Sequence, residues 1–129
     1  MTSGPALPVM DQVLNRVIDI EGVVAASLIE ATSGLVLASA QIGDVVDPAL
    51  VAAGAADLVF LLADLTARTG LEDELEDVMI TLSGRYHIVR IMPGQLSEPL
   101  AMVATFDRRQ TNLAMARREL RDVGERFGA

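Results

Sequence analysis

The stretch EGVVAASLIEATSGLVLAS, residues 21–39, contains two runs of small and apolar residues separated by a polar segment that ends at Gly34. These runs predict two β-strands, at about residues 23–29 and 35–40. The short connection ending in glycine predicts an antiparallel hairpin. Neither strand alternates apolar and polar residues, which indicates a sheet that is covered by other layers on both faces.

Three helices are predicted from apolar spacing and from signals at the helix ends. The first is a short amphipathic helix that follows Pro8. The second is predicted for residues 48–69, because Asp47 suits an N-cap and Pro48 suits the first helical position. The third is predicted for about residues 110–127, where one apolar stripe lies among arginines and acids.

The remaining strands complete one sheet. A second hairpin is predicted within residues 77–92, with a two-residue turn at Gly84-Arg85, and a central fifth strand at about 100–106. The fold class expected is therefore α+β, an α/β/α sandwich. It contains a single antiparallel five-stranded sheet in the element order α-β-β-α-β-β-β-α, with helices on both faces. Residues 1–8 are predicted to be a flexible tail, and residues 9–127 the domain.

Composition limits the chemistry that this chain can perform. Its 129 residues suit one domain, and its formal charge of −8 disfavours binding to nucleic acid. The sequence contains neither lysine nor cysteine. This excludes P-loop and Schiff-base lysines, disulfides, thiolate zinc sites and cysteine nucleophiles. The chain begins without a signal-peptide pattern, so a cytoplasmic location is expected.

Three features resemble catalytic or metal-binding groups, but each has a simpler structural interpretation. His87, the only histidine, has no obvious second ligand or nucleophile and is predicted to pack at the edge of the core. The acidic run at residues 72–77 lacks the spacing of a calcium loop and is predicted to be solvated. Arg108 and Arg109 could act as an arginine finger, but paired surface arginines are usually solvated or salt-bridged. No catalytic residue, cofactor or metal site is predicted.

The middle helix, residues 48–69, is apolar around almost its whole circumference. Its charged residues share one narrow stripe with apolar and small ones: Leu50, Gly54, Asp57, Leu61, Asp64 and Arg68. A helix packed on its own sheet needs an apolar face of only about 100°. The excess predicts burial against a second protein, most simply a second copy of the same helix. A membrane span is disfavoured, because Asp57 and Asp64 would each cost about 2.5–3.5 kcal/mol near the bilayer centre.

Two segments resemble the signatures of the Roadblock (dynein light chain) family. IEGVVAASLIEATSGLVLAS, residues 20–39, is similar to its opening Gly-Val step and hairpin. FDRRQTNLAMARREL, residues 106–120, is similar to its closing strand-to-helix connection through Asn112-Leu113. The order of predicted elements matches as well, so the resemblance covers about residues 9–127. The chain is most similar to small bacterial members, including regulators of the gliding-motility GTPase.

The resemblance implies a non-catalytic homodimeric regulator or scaffold that binds a small Ras-like GTPase through its paired middle helices. In that family the middle helices lie side by side and the third strands pair. The stripe from Leu50 to Arg68 is then the predicted partner interface. The predicted dimer interface comprises Leu58, Phe60, Leu65, Val78 and Ile80. The family includes members that accelerate hydrolysis, members that promote exchange and scaffolds, and the sequence does not distinguish these.

The alternative function is a small-molecule sensor with a similar arrangement of sheet and helices. A sensor needs an interior pocket with a few polar groups. The predicted strands offer few inward polar residues beyond Ser27, Ser39 and His87. A ligand-sized internal cavity would favour the sensor, and a filled core with an exposed apolar and acidic ridge would favour the regulator.

Overall fold

The computed structural model describes residues 7–43, 46–70, 72–92 and 99–128, which form three α-helices and five strands. In chain order these are α1 (Leu7–Ile18), β1 (Val23–Glu30), β2 (Val36–Gln41), α2 (Pro48–Arg68), β3 (Asp77–Thr81), β4 (Arg85–Ile91), β5 (Leu100–Asp107), a 3-10 turn (Arg108–Gln110) and α3 (Leu113–Gly128). The predicted element order and α+β class are confirmed. Of the predicted tail, residues 1–6 lie outside the described residues, and α1 already begins at Leu7.

All five strands belong to one antiparallel sheet with the order β2-β1-β5-β4-β3. β5 lies at the centre, as its run of apolar residues predicted, and is buried along almost its whole length. β2 and β3 form the two edges. β3, the strand that follows α2 in the chain, is therefore an edge strand.

The two faces of the sheet carry separate apolar cores. α1 and α3 cover one face, where Val17 and Leu120 pack against Leu28 and Phe106. α2 covers the other face, where small residues such as Ala52 lie against the strands. Helices therefore lie on both faces, as predicted, and α2 is the single helix that the described residues place on its face.

The β3–β4 turn differs from the prediction by one residue. The Leu82 N–H donates to the Arg85 carbonyl oxygen at 2.9 Å, so the central turn residues are 83–84, and the turn predicted at Gly84-Arg85 is wrong. That prediction assumed a left-handed backbone at Gly84, which is not among the left-handed glycines of the described chain. A turn at Gly84-Arg85 would place His87 opposite Leu82, on the face with Ile80, Val89 and Ile91. His87 pairs with Ile80 instead, and it lies on that same face of the sheet.

Other boundaries differ by one to three residues. β1 and β2 each end one residue later than predicted. α3 begins at Leu113 because the chain turns before it. The Asp107 carboxylate accepts from the Arg109 N–H at 3.0 Å in the 3-10 turn, and the Asn112 side chain accepts from the Met115 N–H at 3.2 Å at the start of α3. The two side chains accept from backbone N–H groups that, in a continuous helix, would donate to carbonyl oxygens one turn earlier.

The β1–β2 turn is closed by the carboxylate of Glu30. It accepts hydrogen bonds from the Thr32 N–H at 3.1 Å, from the Ser33 N–H at 2.7 Å, and from the Ser33 hydroxyl. Chiefly because of the bonds from Ser33, the pKa of Glu30 is lowered from 4.5 to about 2. Gly34 follows with a φ of 77°, a conformation that disfavours any side chain there.

Glu30→Gln is expected to destabilise the protein near neutral pH and to have a smaller effect in acid. The folded-state pKa lies below the unfolded value. The carboxylate therefore contributes stability that is fully present above about pH 4.5 and is lost as the pH falls towards about 2. Chemical denaturation of both proteins near neutral pH and at about pH 3 measures the two free energies of unfolding. Glu125→Gln, at an exposed position on α3, is the control. A Glu30→Gln deficit that stays constant or grows on acidification would contradict this assignment.

Candidate partner-binding surface

α2 buries very little of its apolar surface. The helix starts with an Asp47 cap, whose carboxylate accepts from the Ala49 N–H at 3.0 Å, and of its 21 residues only Ala52, Ala55 and Ala56 are buried. Four large apolar side chains are exposed instead: Leu50 at 73%, Phe60 at 74%, Leu61 at 63% and Leu65 at 56%. Such a contiguous apolar surface is typical of a region that contacts another protein or a membrane.

α2 is also long and apolar enough to cross a membrane, with a mean hydropathy of 1.8 over a window that is 17% buried. The fold is not compatible with such a span. β2 precedes α2 and β3 follows it, and both strands belong to the same sheet, along whose face the helix lies. A spanning helix would place its two ends on opposite sides of about 30 Å of hydrocarbon. The exposed apolar surface is therefore better explained by a protein partner.

The outermost line of α2 carries the predicted partner interface. This line, called here the α2 ridge, consists of Leu50, Gly54, Asp57, Leu61, Asp64 and Arg68, all of which are exposed. Arg68 Nε lies 2.8 Å from Asp64 Oδ2, one helical turn away. As an exposed ion pair it contributes little stability, about 0–1 kcal/mol. The ridge therefore has an apolar centre at Leu61 between acidic side chains, and its role in binding stays a prediction.

The residues of the predicted dimer interface lie beside this ridge and on β3. Phe60 and Leu65 flank the ridge and are mostly exposed, and Leu58 is half-buried. Val78 and Ile80 are half-buried on the side of β3 that faces α2. An open groove of about 420 Å³, lined in part by Val59, Ala63, Leu75 and Ile91, lies between the second half of α2, the segment before β3 and the end of β4. The apolar surface thus continues from the helix towards the sheet edge.

The edge formed by β3 offers unpaired backbone groups next to that surface. The Leu82 N–H donates to β4, and the Glu76 carbonyl accepts from β4. Because backbone direction alternates along a strand, the N–H and C=O groups of Asp77, Met79 and Thr81 point away from the sheet. An edge of this kind can add a strand from another chain.

This arrangement is similar to solved structures over almost their whole length. One is the gliding protein MglB from Thermus thermophilus, which is 18% identical, with a TM-score of 0.79 and coverage of 99% of this chain and 94% of that chain. Another is a Roadblock/LC7 domain from Streptomyces avermitilis, 16% identical, with a TM-score of 0.73 and coverage of 95% and 94%. An MglB with a tetrameric arrangement is 18% identical, with a TM-score of 0.79 and coverage of 97% and 90%. The chain has the Roadblock/LC7 fold.

The resemblance that was seen in residues 20–39 and 106–120 is thus confirmed at the level of the Roadblock/LC7 fold. No protein-family model matches the sequence, and no curated protein matches it significantly. Fold similarity does not transfer function, which has to be argued from the surfaces of this chain.

Within the Roadblock/LC7 sheet, His87 is a half-buried side chain on the α2 side. Its Nδ1 lies 2.9 Å from the Thr105 hydroxyl. Burial, together with the positive charge of Arg85, lowers the pKa of His87, so the imidazole is neutral at physiological pH. Among the described residues, no cluster of three or more histidine, cysteine or acidic side chains could hold a metal ion. The predicted packing role of His87 agrees with this position.

The burial of Arg90 was not predicted from the sequence. Arg90 is 5% exposed on the α3 side of β4, and within the described part of the chain its Nε and Nη1 atoms have no hydrogen-bond partner. The nearest carboxylate is that of Glu76, at 3.9 Å. Neighbouring Asp77 is bound instead by Arg117 of α3, at 3.1 and 3.2 Å. In the sequence, this feature is indicated by Arg90 itself, a single charged residue in the otherwise apolar second half of β4.

Proposed function

We propose that this protein is a cytoplasmic, non-catalytic homodimer that regulates or scaffolds a small Ras-like GTPase through the α2 ridge. The observation that carries the proposal is the apolar surface that extends from α2 to β3 and is exposed in a single chain. Self-association is further supported by a protein of the same fold, an MglB with a tetrameric arrangement.

Pairing of β3 with β3 of a second copy would use both the exposed apolar surface of α2 and the unpaired backbone groups of β3. A two-fold axis perpendicular to the sheet keeps both α2 helices on one face. With Met79 opposite its symmetry mate, the outward backbone groups of Asp77, Met79 and Thr81 all find partners. The two α2 helices then approach each other on the flank of the ridge that faces β3, where Phe60 lies, whereas Leu65 lies on the opposite flank.

The α2 ridge stays at the surface of such a dimer and offers a site for a further partner. Its centre at Leu61 is apolar, and Asp57 and Asp64 lie beside it. Interfaces typically have an apolar centre with a polar rim, and opposite charges improve the rate and specificity of association. This chemistry suits a GTPase that presents arginines and lysines around its nucleotide-dependent segments.

The clefts of the described chain support a regulator more than a sensor. The cleft between α1 and α3, of about 330 Å³, opens to solvent and is lined mainly by charged side chains, among them Arg16, Asp19 and Glu119. The sheet face below α2 is filled by alanine and β-branched side chains. A sensor would need an enclosed pocket with a few converging polar groups.

The protein alone is expected to bind neither GTP nor ATP. Phosphate recognition commonly uses a P-loop lysine or a glycine-rich loop at a helix start, and this sequence has no lysine and neither loop motif. Titration of the protein into fluorescent GTP and ATP analogues with Mg²⁺ measures this, with a purified small GTPase as positive control. Saturable binding in the micromolar range would contradict the proposal, since the protein would then be the nucleotide switch.

A further inference from the structure

The two ends of β3 carry opposite charges. Five acids lie before the strand and at its first residue: Glu72, Asp73, Glu74, Glu76 and Asp77. At the other end, exposed Arg85 starts β4, and exposed Arg108 and Arg109 start the 3-10 turn beside it. The ion pairs among the described residues involve Arg68, Arg90 and Arg117, and none of the three arginines at this end. The three arginines and the exposed acids Glu72, Asp73 and Glu74 are therefore available to a partner, whereas Glu76 and Asp77 already pair with Arg90 and Arg117.

Arg108 is held in a defined position at the β3–β4 turn. Its Nη1 donates to the Leu82 carbonyl oxygen at 3.0 Å, and its guanidinium carbon lies 5.5 Å from the centre of the Tyr86 ring. Its backbone N–H donates to the Gly84 carbonyl oxygen at 3.2 Å. A guanidinium fixed in this way loses little further side-chain entropy when it binds a carboxylate.

The two groups cannot neutralise each other within one chain. The five residues of β3 separate them by about 17 Å. This distance is about twice the length over which exposed charges interact at physiological ionic strength, roughly 8 Å. The attraction between them can act only between molecules.

We infer that the acidic segment 72–76 of each copy binds Arg85 and Arg108 of the other copy. This inference rests on the proposed homodimer. When β3 pairs with its symmetry mate about Met79, Glu76 comes opposite the partner's Leu82. On β4, Arg85 lies beside Leu82, and Arg108 Nη1 contacts the Leu82 carbonyl oxygen, so both arginines of the partner are level with Glu76 at the end of the paired strands. The two-fold axis creates the same acidic–arginine contact twice, once at each end of the paired strands.

The contact also selects the register and the direction of pairing. Residues 78–81 of β3 carry no charge and could pair in several registers. A parallel arrangement or a large slip of the strands would place acids beside acids. Like charges in contact are unfavourable, so the opposite charges at the two ends favour the antiparallel arrangement centred on Met79.

Two charge-reversed variants of the full chain test this contact. One carries Asp73→Arg and Glu74→Arg, and the other carries Arg85→Glu and Arg108→Glu. Each variant alone brings like charges together at both contacts, and its homodimer is expected to dissociate at least about tenfold more readily at low salt. When the two variants are mixed, unlike charges meet at both contacts. Native mass spectrometry is expected to show the heterodimer well above its statistical share, an excess that decreases with added salt.

Matched controls make the same charge changes on exposed positions of α3. These are Asp122→Arg with Glu125→Arg, and Arg118→Glu with Arg121→Glu. They are expected to keep wild-type dimer strength and to mix statistically. If the β3-flanking variants also keep the wild-type dimer dissociation constant and form heterodimers only at the statistical share, the proposed contact is refuted, whereas the proposed homodimer is not. A wild-type protein that is monomeric at every concentration would instead overturn the homodimer, and the contact with it.

Discussion

Met79→Pro is expected to convert the wild-type dimer into a folded monomer. The Met79 N–H points away from β4, so proline at this edge position removes no hydrogen bond from the sheet of a single chain. In the proposed dimer it removes central main-chain bonds, worth about 0.5–1.5 kcal/mol each, and places a ring against the partner strand. Sedimentation equilibrium should show the dimer dissociation constant rising by about a hundredfold or more.

The opposite edge of the sheet supplies the matched control. The Ile42 N–H donates to the Val24 carbonyl oxygen, so the N–H of Ser39 in β2 also points outward. Ser39→Pro is thus an equivalent change on the other edge strand, and it is expected to leave the dimer intact. Equal dissociation of both variants, or a Met79→Pro protein that remains dimeric, would rule out pairing through β3. Circular dichroism checks that both variants remain folded.

Leu61→Arg combined with Asp64→Arg is expected to leave the dimer intact and to weaken GTPase binding strongly. Both positions lie on the α2 ridge and are exposed, and Leu61 is the apolar residue at its centre. Loss of a central apolar anchor typically costs about 2 kcal/mol or more, and the added positive charges would repel a basic partner. Isothermal titration against a small Ras-like GTPase from the same organism measures the affinity, with light scattering run in parallel.

The control for this variant is Met115→Arg with Asp122→Arg. Met115 is 57% exposed on α3, so the pair repeats the change of one exposed apolar and one acidic residue on a different surface. It is expected to bind the GTPase like the wild type. A ridge variant that dissociates would place Leu61 in the dimer core. A dimeric ridge variant with wild-type affinity would move the binding site elsewhere, with the arginine-rich α3 as the next surface to test.

Local patterns predicted most of the fold and the exposed line of α2. Helical spacing alone placed Asp57, Leu61 and Asp64 on one side, because a helix of known period has only one way to arrange them. The central position of β5 followed from its run of apolar residues. These features depend on a few neighbouring residues, which is why the sequence was sufficient for them.

Features that depend on distant residues or on one backbone angle could not be predicted in this way. Arg117 binds Asp77 across 40 positions of the chain, and no local pattern connects the two. The β3–β4 turn was misplaced by one residue because the conformation of Gly84 decides it. Arg108 was weighed as an arginine finger, although its stacking on Tyr86 becomes evident only once β4 and the 3-10 turn are adjacent.

The proposed function requires that two copies of this chain form a platform for a small GTPase. Light scattering coupled to size exclusion measures this, with the protein alone and after addition of a small Ras-like GTPase from the same organism in each nucleotide state. We expect twice the 13.7 kDa mass of the chain for the protein alone, and a further increase by the mass of the GTPase in at least one nucleotide state. A mass of 13.7 kDa alone, or no increase with either nucleotide, would contradict the proposed function.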